Sequence, residues 1–207
     1  MITVVTIERE YGSGGGEIAE RVAKELGWPL WDERLTEEIA RLAECPKEVV
    51  RGREERTDPL YARLFKSFLR GSYEGSLNAY RLGVVDSESI LKLTERVVRH
   101  VSEAGSAVIV GRGSQHFLRD RPDALRLFLY APREAKVQRL AVGGTTKEEA
   151  EQLVDTVDRE RADYIRRYFH VDLPDRPVYH AMINTVVGDE KVVRLILDLV
   201  RNLNAAA

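Results

Sequence analysis

Apolar residues in this chain fall into two kinds of run. Continuous runs of four to seven residues, at 2–7, 107–110, 124–130 and 181–185, are rich in β-branched and aromatic side chains and stop at turn or charged residues. They predict buried strands. Residues 29–31 form a shorter run that ends at Asp32. Between these runs, apolar residues recur at helical spacing. Ile18, Val22 and Leu26 line one face of 14–26, with Ala19 and Ala23 beside them and Gly27 closing the helix. Ile90, Leu93, Val97, Val98 and Val101 do the same over 86–104, and Val192, Val193, Ile196 and Val200 over 189–202. Helices are also expected at 33–43, 133–141 and 147–168. This alternation predicts an α/β fold, a mostly parallel sheet with helices on both faces.

Residues 45–85 break the rhythm. Pro46 opens a helical piece, and Tyr61, Leu64, Phe65, Phe68 and Leu69 keep helical spacing among many charges. Gly71, Gly75 and Gly83 then punctuate a loop. An aromatic insertion between the second and third strands suits a substrate-binding flap, core packing or a dimer surface equally well.

The first strand runs into Gly12-Ser13-Gly14-Gly15-Gly16 and then into a helix. Glycines let the backbone take positive φ and turn its N–H groups inward, toward the same point as the positive end of the helix dipole. That arrangement suits a phosphate and has the layout of a P-loop. Two standard parts are absent: Gly15 stands at the lysine position and Glu17 at that of the hydroxyl. Arg9 or Lys24 could supply the missing cation, and the sequence does not choose between them. A dinucleotide-binding reading also needs glycines here and an acidic residue near Asp32, but the third glycine of its fingerprint is replaced.

Three further positions carry candidate chemistry. Asp32 ends the second strand, where open parallel sheets place ligand contacts, or else it caps the next helix. Arg112 lies between Gly111 and Gly113 at the end of the third strand, where its planar fork could meet a phosphate or carboxylate. Arg159, Arg161, Arg166 and Arg167 crowd one charged helix. They form either a solvated, ion-paired face or a lid that brings cations to a phosphoryl group in transfer. His100, His116, His170 and His180 lack zinc-site spacing and read as structural.

Composition narrows the class. The 207 residues suffice for one α/β domain, and a net charge of −2 argues against a broad nucleic-acid surface. One cysteine, Cys45, excludes an intrachain disulfide. No leader and no apolar run of membrane-spanning length is expected.

The chain resembles the cytidylate kinase-like proteins, a branch of the P-loop nucleoside monophosphate kinases that lacks the loop lysine. The resemblance rests on TIEREYGSGGGEIAERVAKELG, VIVGRGSQHFL, ALRLFLYAPREAKVQRL, DTVDRERADYIRRYF and YHAMINT. It implies a single P-loop three-layer sandwich over 1–207, with a helical monophosphate-binding insertion at 45–85 and an arginine-bearing lid at 143–170. It implies transfer of a phosphoryl group from ATP, with Mg2+, to a nucleoside monophosphate, CMP or dCMP by analogy. Gly12, Ser13, Gly14, Gly15, Gly16 and Glu17 would hold ATP phosphates, and Arg112, Arg159 and Arg161 the acceptor or moving phosphate. Asp32 and Arg9 stand as substrate or metal contacts. Gly113 replaces the aspartate of Gly-Arg-Asp, and Gly16 an arginine common in the branch. The expected setting is the cytoplasm, without a nucleic-acid or membrane partner, and a homodimer is left open. The alternative is a non-catalytic protein that binds a nucleotide or anion on the same fold.

Overall fold

A computed structural model describes residues 1–42 and 87–205. The insertion at 45–85 lies outside the described residues. Among the described residues, five parallel strands form one sheet in the order β2-β3-β1-β4-β5, where β1 is Val4–Arg9, β2 Leu30–Trp31, β3 Ala107–Val110, β4 Ala124–Tyr130 and β5 Ala181–Asn184. Helices α1 (Gly15–Leu26), α2 (Glu33–Leu42), α3 (Ser87–Ala104), α4 (Ser114–Phe117), α5 (Arg133–Val142), α6 (Lys147–Phe169) and α7 (Asp189–Ala205) connect them.

Both sheet faces are covered. Val5 and Ile7 of β1 point into a core with Ile18 and Val22 of α1 and Val192 and Ile196 of α7. Val4 points the other way, into a core with Leu35 and Ile39 of α2 and Val97, Val98 and Val101 of α3. Alternate residues of a strand face opposite sides, which is why one β-branched run supplies both cores. A smaller cluster of Val137, Leu140, Ala150 and Val154 joins α5 to α6. No described helix is long and apolar enough to cross a membrane.

The main departure from the sequence pattern is at the end of β1. The apolar run stops at Ile7, yet the strand continues through Glu8 and Arg9, and both side chains are buried. β1 pairs with β3 only as far as Ile7 opposite Val110, whereas its pairing with β4 continues to Arg9 opposite Leu129. The two charged residues therefore overhang the end of β3. This is the point in an open parallel sheet where connections leave in opposite directions and a crevice opens.

Ile18 is completely buried between sheet and helix. Ile18→Ala is expected to cost about 2–4 kcal/mol in urea unfolding. Glu20→Ala, on the exposed face of α1, should stay within about 0.5 kcal/mol.

Candidate phosphate-binding site

Two turns flank the crevice. After β1, Gly12 and Gly14 adopt left-handed backbone, and Gly14 is the N-cap of α1. Ser13 is buried, and its hydroxyl donates to the Glu10 carbonyl at 2.7 Å, bracing the loop rather than facing a ligand. After β3, Gly111, Arg112 and Gly113 are all left-handed, with φ of 66°, 63° and 69°. For Arg112 that conformation costs about 1–3 kcal/mol, so the surroundings must hold it there.

Three guanidinium groups converge on this crevice, those of Arg9, Arg112 and Arg161, and all three residues are buried. Arg9 and Arg112 approach the same Asp32 oxygen, at 3.9 and 3.8 Å. Arg9 also lies 3.7 Å from Glu8. These are ion-pair distances, longer than hydrogen bonds. That Asp32 oxygen has no hydrogen-bond donor among the described residues. Arg161 reaches from α6 and donates to the Arg9 carbonyl at 2.9 Å. Burial brings the pKa of Arg112 down to about 10, with Asp32 opposing the shift, and burial likewise brings Arg161 to about 10. Both remain cations at neutral pH.

Helix α6 carries more than Arg161 to the site. Asp158 accepts from the Tyr11 backbone N–H at 2.7 Å and from Lys136 at 2.7 Å, and Lys136 also donates to Glu10 at 2.9 Å. The Tyr164 hydroxyl meets the Arg112 carbonyl at 3.5 Å. Phe169 stacks on His116, with ring centroids 4.5 Å apart, and lies against Gly113. A Cβ at Gly113 would collide with that ring, so an aspartate there is incompatible with Phe169 in this position.

The other expected positions divide. Arg159 is exposed and does not join the cluster, as are Arg166 and Arg167. Arg166 pairs with Asp163 and Asp172 on the solvent side. Val154, Val157, Arg161 and Ile165 share the buried stripe of α6; an arginine inside an apolar stripe was the signal that singles out Arg161. Glu17 is exposed at the N-terminus of α1 and sits 3.5 Å from Arg139. Lys24 lies exposed in the last turn of α1, at the opposite end from the glycine loop.

Three contributors were missed from sequence. Glu8 accepts from the Arg9 backbone N–H at 3.0 Å and from Gln115 at 3.3 Å. Gln115 also donates to the Tyr179 hydroxyl at 3.3 Å, and both residues are buried. Arg139 of α5 makes a two-pronged pair with Asp189, at 2.6 and 2.7 Å, and covers Gly14. Glu8 had a signal, a charge in the alternation of a central strand; Gln115 and Arg139 had none.

No group of three acidic, histidine or cysteine side chains that could hold a metal occurs among the described residues. Mg2+ bound mainly by nucleotide phosphates and water needs only one or two carboxylates, a demand that the buried Glu8 and Asp32 would meet.

The sequence profile of the cytidylate kinase-like family matches residues 4–186. The chain belongs to that family. No curated protein matches it. Among solved structures it is similar to an uncharacterized protein from Eubacterium ventriosum, at 20% identity and a TM-score of 0.69, covering 98% of this chain and 99% of the other. It is also similar to shikimate kinase from Bacteroides thetaiotaomicron, at 13% identity and a TM-score of 0.54, covering 97% and 99%. Shikimate kinase from Acinetobacter baumannii, solved with shikimate, gives 17% identity and a TM-score of 0.53, covering 98% and 94%. At these identities the likeness establishes the P-loop kinase fold.

Gly113→Ala is expected to cost about 3 kcal/mol or more, from strain at positive φ and from the Phe169 collision. In a Phe169→Ala background the added cost should fall to about 1–2 kcal/mol, read by chemical denaturation. A pH effect follows from His116. Its pKa is lowered, first by burial and then by Arg119, against Asp175 and Glu8. A lowered folded value means that protonation favours unfolding, so the contribution is complete above the ordinary imidazole pKa and is lost as pH falls through the folded value. Melting temperature should drop between about pH 7.5 and about pH 5.5, and drop less in His116→Gln.

Proposed function

We propose that this protein transfers the γ-phosphoryl group of Mg-ATP to a nucleoside monophosphate, with CMP or dCMP the acceptor by family analogy. The observation that carries this reading is the convergence of three buried guanidinium groups on the crevice. Three buried guanidinium groups face two buried carboxylates beside a glycine loop at a helix N-terminus. A phosphate-bearing ligand would bring anionic oxygens to this cluster, and guanidinium groups bind such oxygens in two-pronged, charge-assisted pairs.

In this reading the loop from Gly12 to Gly16 holds the donor phosphates through backbone N–H groups other than that of Ser13, which donates to the Glu10 carbonyl. Arg112 and Arg161 bind the acceptor phosphate and steady the phosphoryl group in transfer. The bond from the γ-phosphorus to the bridging oxygen breaks, a bond to an acceptor phosphate oxygen forms, and ADP leaves. Positioning and charge supply most of the catalysis in such reactions. Asp32 orients Arg9 and Arg112 from one oxygen and, with Glu8, offers carboxylates to Mg2+ or its waters. The region 45–85 would supply acceptor-binding contacts, and 143–170 would be the lid-like segment that carries Arg161. The cytoplasm, where Mg-ATP is plentiful, is the proposed setting.

The missing lysine favours a second reading, a protein that binds the nucleotide without turnover. A coupled ADP-release assay with Mg-ATP and a panel of monophosphates separates the two. Turnover is expected, with kcat/KM falling about a hundredfold or more in Arg112→Ala and staying within about twofold in Arg194→Ala, an exposed site on α7. Binding of ATP without turnover on any acceptor would favour the second reading.

A further inference from the structure

The course of the Arg9 side chain explains why the loop has no lysine. A Cβ placed on Gly15 would lie 2.6 Å from Arg9 Cβ and 2.9 Å from its Cγ, nearer than packed carbons come. At the other end, a Cβ on Gly111 would collide with the Arg9 guanidinium. The arginine stem thus crosses directly over Gly15, and its head lies against the turn that ends β3. Gly15 is the position at which a P-loop ordinarily carries its lysine. A lysine could not begin its side chain there while Arg9 fills the space.

We infer that the cation of the loop has been transposed. Arg9, entering from the overhang of β1, is the group that this site presents to the β- and γ-phosphates, and Gly15 and Gly111 are the two gaps that admit it. The inference rests on the phosphoryl-transfer reading above and adds the residue that replaces the lysine. Two carboxylates flank the guanidinium, Glu8 at 3.7 Å and Asp32 at 3.9 Å, and Arg161 holds the Arg9 backbone by donating to its carbonyl. A planar fork can meet two phosphate oxygens at once, whereas an ammonium is a point charge, so the two are not equivalent at one position.

The test is a reciprocal exchange. Wild type, Arg9→Gly, Gly15→Lys and the double variant Arg9→Gly/Gly15→Lys are compared for Mg-ATP affinity by calorimetry, for kcat/KM and for melting temperature. Arg9→Gly is expected to lose about a hundredfold or more in kcat/KM. Gly15→Lys should lose activity and melt lower, since its side chain meets Arg9. The double variant should melt above Gly15→Lys and recover at least about tenfold over Arg9→Gly. If wild type turns over and Arg9→Gly stays within about twofold of it, the assignment of Arg9 falls and the kinase reading stands. If the effects of the two substitutions on melting simply add, the steric exchange is wrong. If wild type neither binds nor turns over Mg-ATP, the kinase reading and this inference fall together.

Discussion

Three guanidinium groups taken out of water at one end of a parallel sheet demand compensation, and the structure around them is arranged to give it. Burial of an unpaired charge costs several kcal/mol even after relaxation. Here Arg9 and Arg112 share one Asp32 oxygen, and Arg161 is satisfied by a strand carbonyl. Each support comes from a different element: Asp32 from the end of β2, Glu8 from the overhang of β1, and Arg161 from α6. A cluster assembled this way specifies how far β1 runs, where β2 stops and how α6 lies across the strand ends. It also sets three guanidinium groups beside a glycine loop, the composition that the proposed phosphate site requires.

The same constraint shapes α6. A helix that contributes Asp158, Arg161, Tyr164 and Phe169 to one line of contacts is fastened along its C-terminal half. Its capping box at Thr146 and Glu149 defines where it starts. Arg161 is therefore part of the resting site in this conformation, while Arg159 and Arg166 belong to the solvated face. The strained backbone at Arg112 has the same origin: with Phe169 over Gly113 and Asp32 beside the guanidinium, the surrounding contacts over-determine the turn.

Much of the fold was legible because each strand is either a continuous apolar run or ends at a glycine turn. Runs at 107–110 and 124–130 became β3 and β4 with the same boundaries. The end of β1 was placed two residues early, since Glu8 and Arg9 look like the start of a loop, and only the cluster makes their burial tolerable. Site positions were legible where chemistry and punctuation coincide, as in the glycine loop, Arg112 between glycines and Asp32 at a strand end. Lys24 and Arg9 were indistinguishable in sequence because the question was one of direction, and a side chain's course across Gly15 is a property of the assembled strand and loop. The Phe169–Gly113 contact was hidden for the same reason, because it joins residues 56 positions apart in sequence. Among the four arginines on α6, the apolar stripe of the helix distinguishes Arg161, a reading that needed periodicity rather than charge.

The central claim is that the glycine loop and the arginine cluster form one donor-and-acceptor site. Calorimetric titration of the wild-type protein tests it most directly, first with CMP and then with CMP after saturation with a non-hydrolysable ATP analogue and Mg2+. The account predicts one nucleotide of each kind bound per chain at the same time. Competition between the two for a single site, or no binding of either, would contradict it.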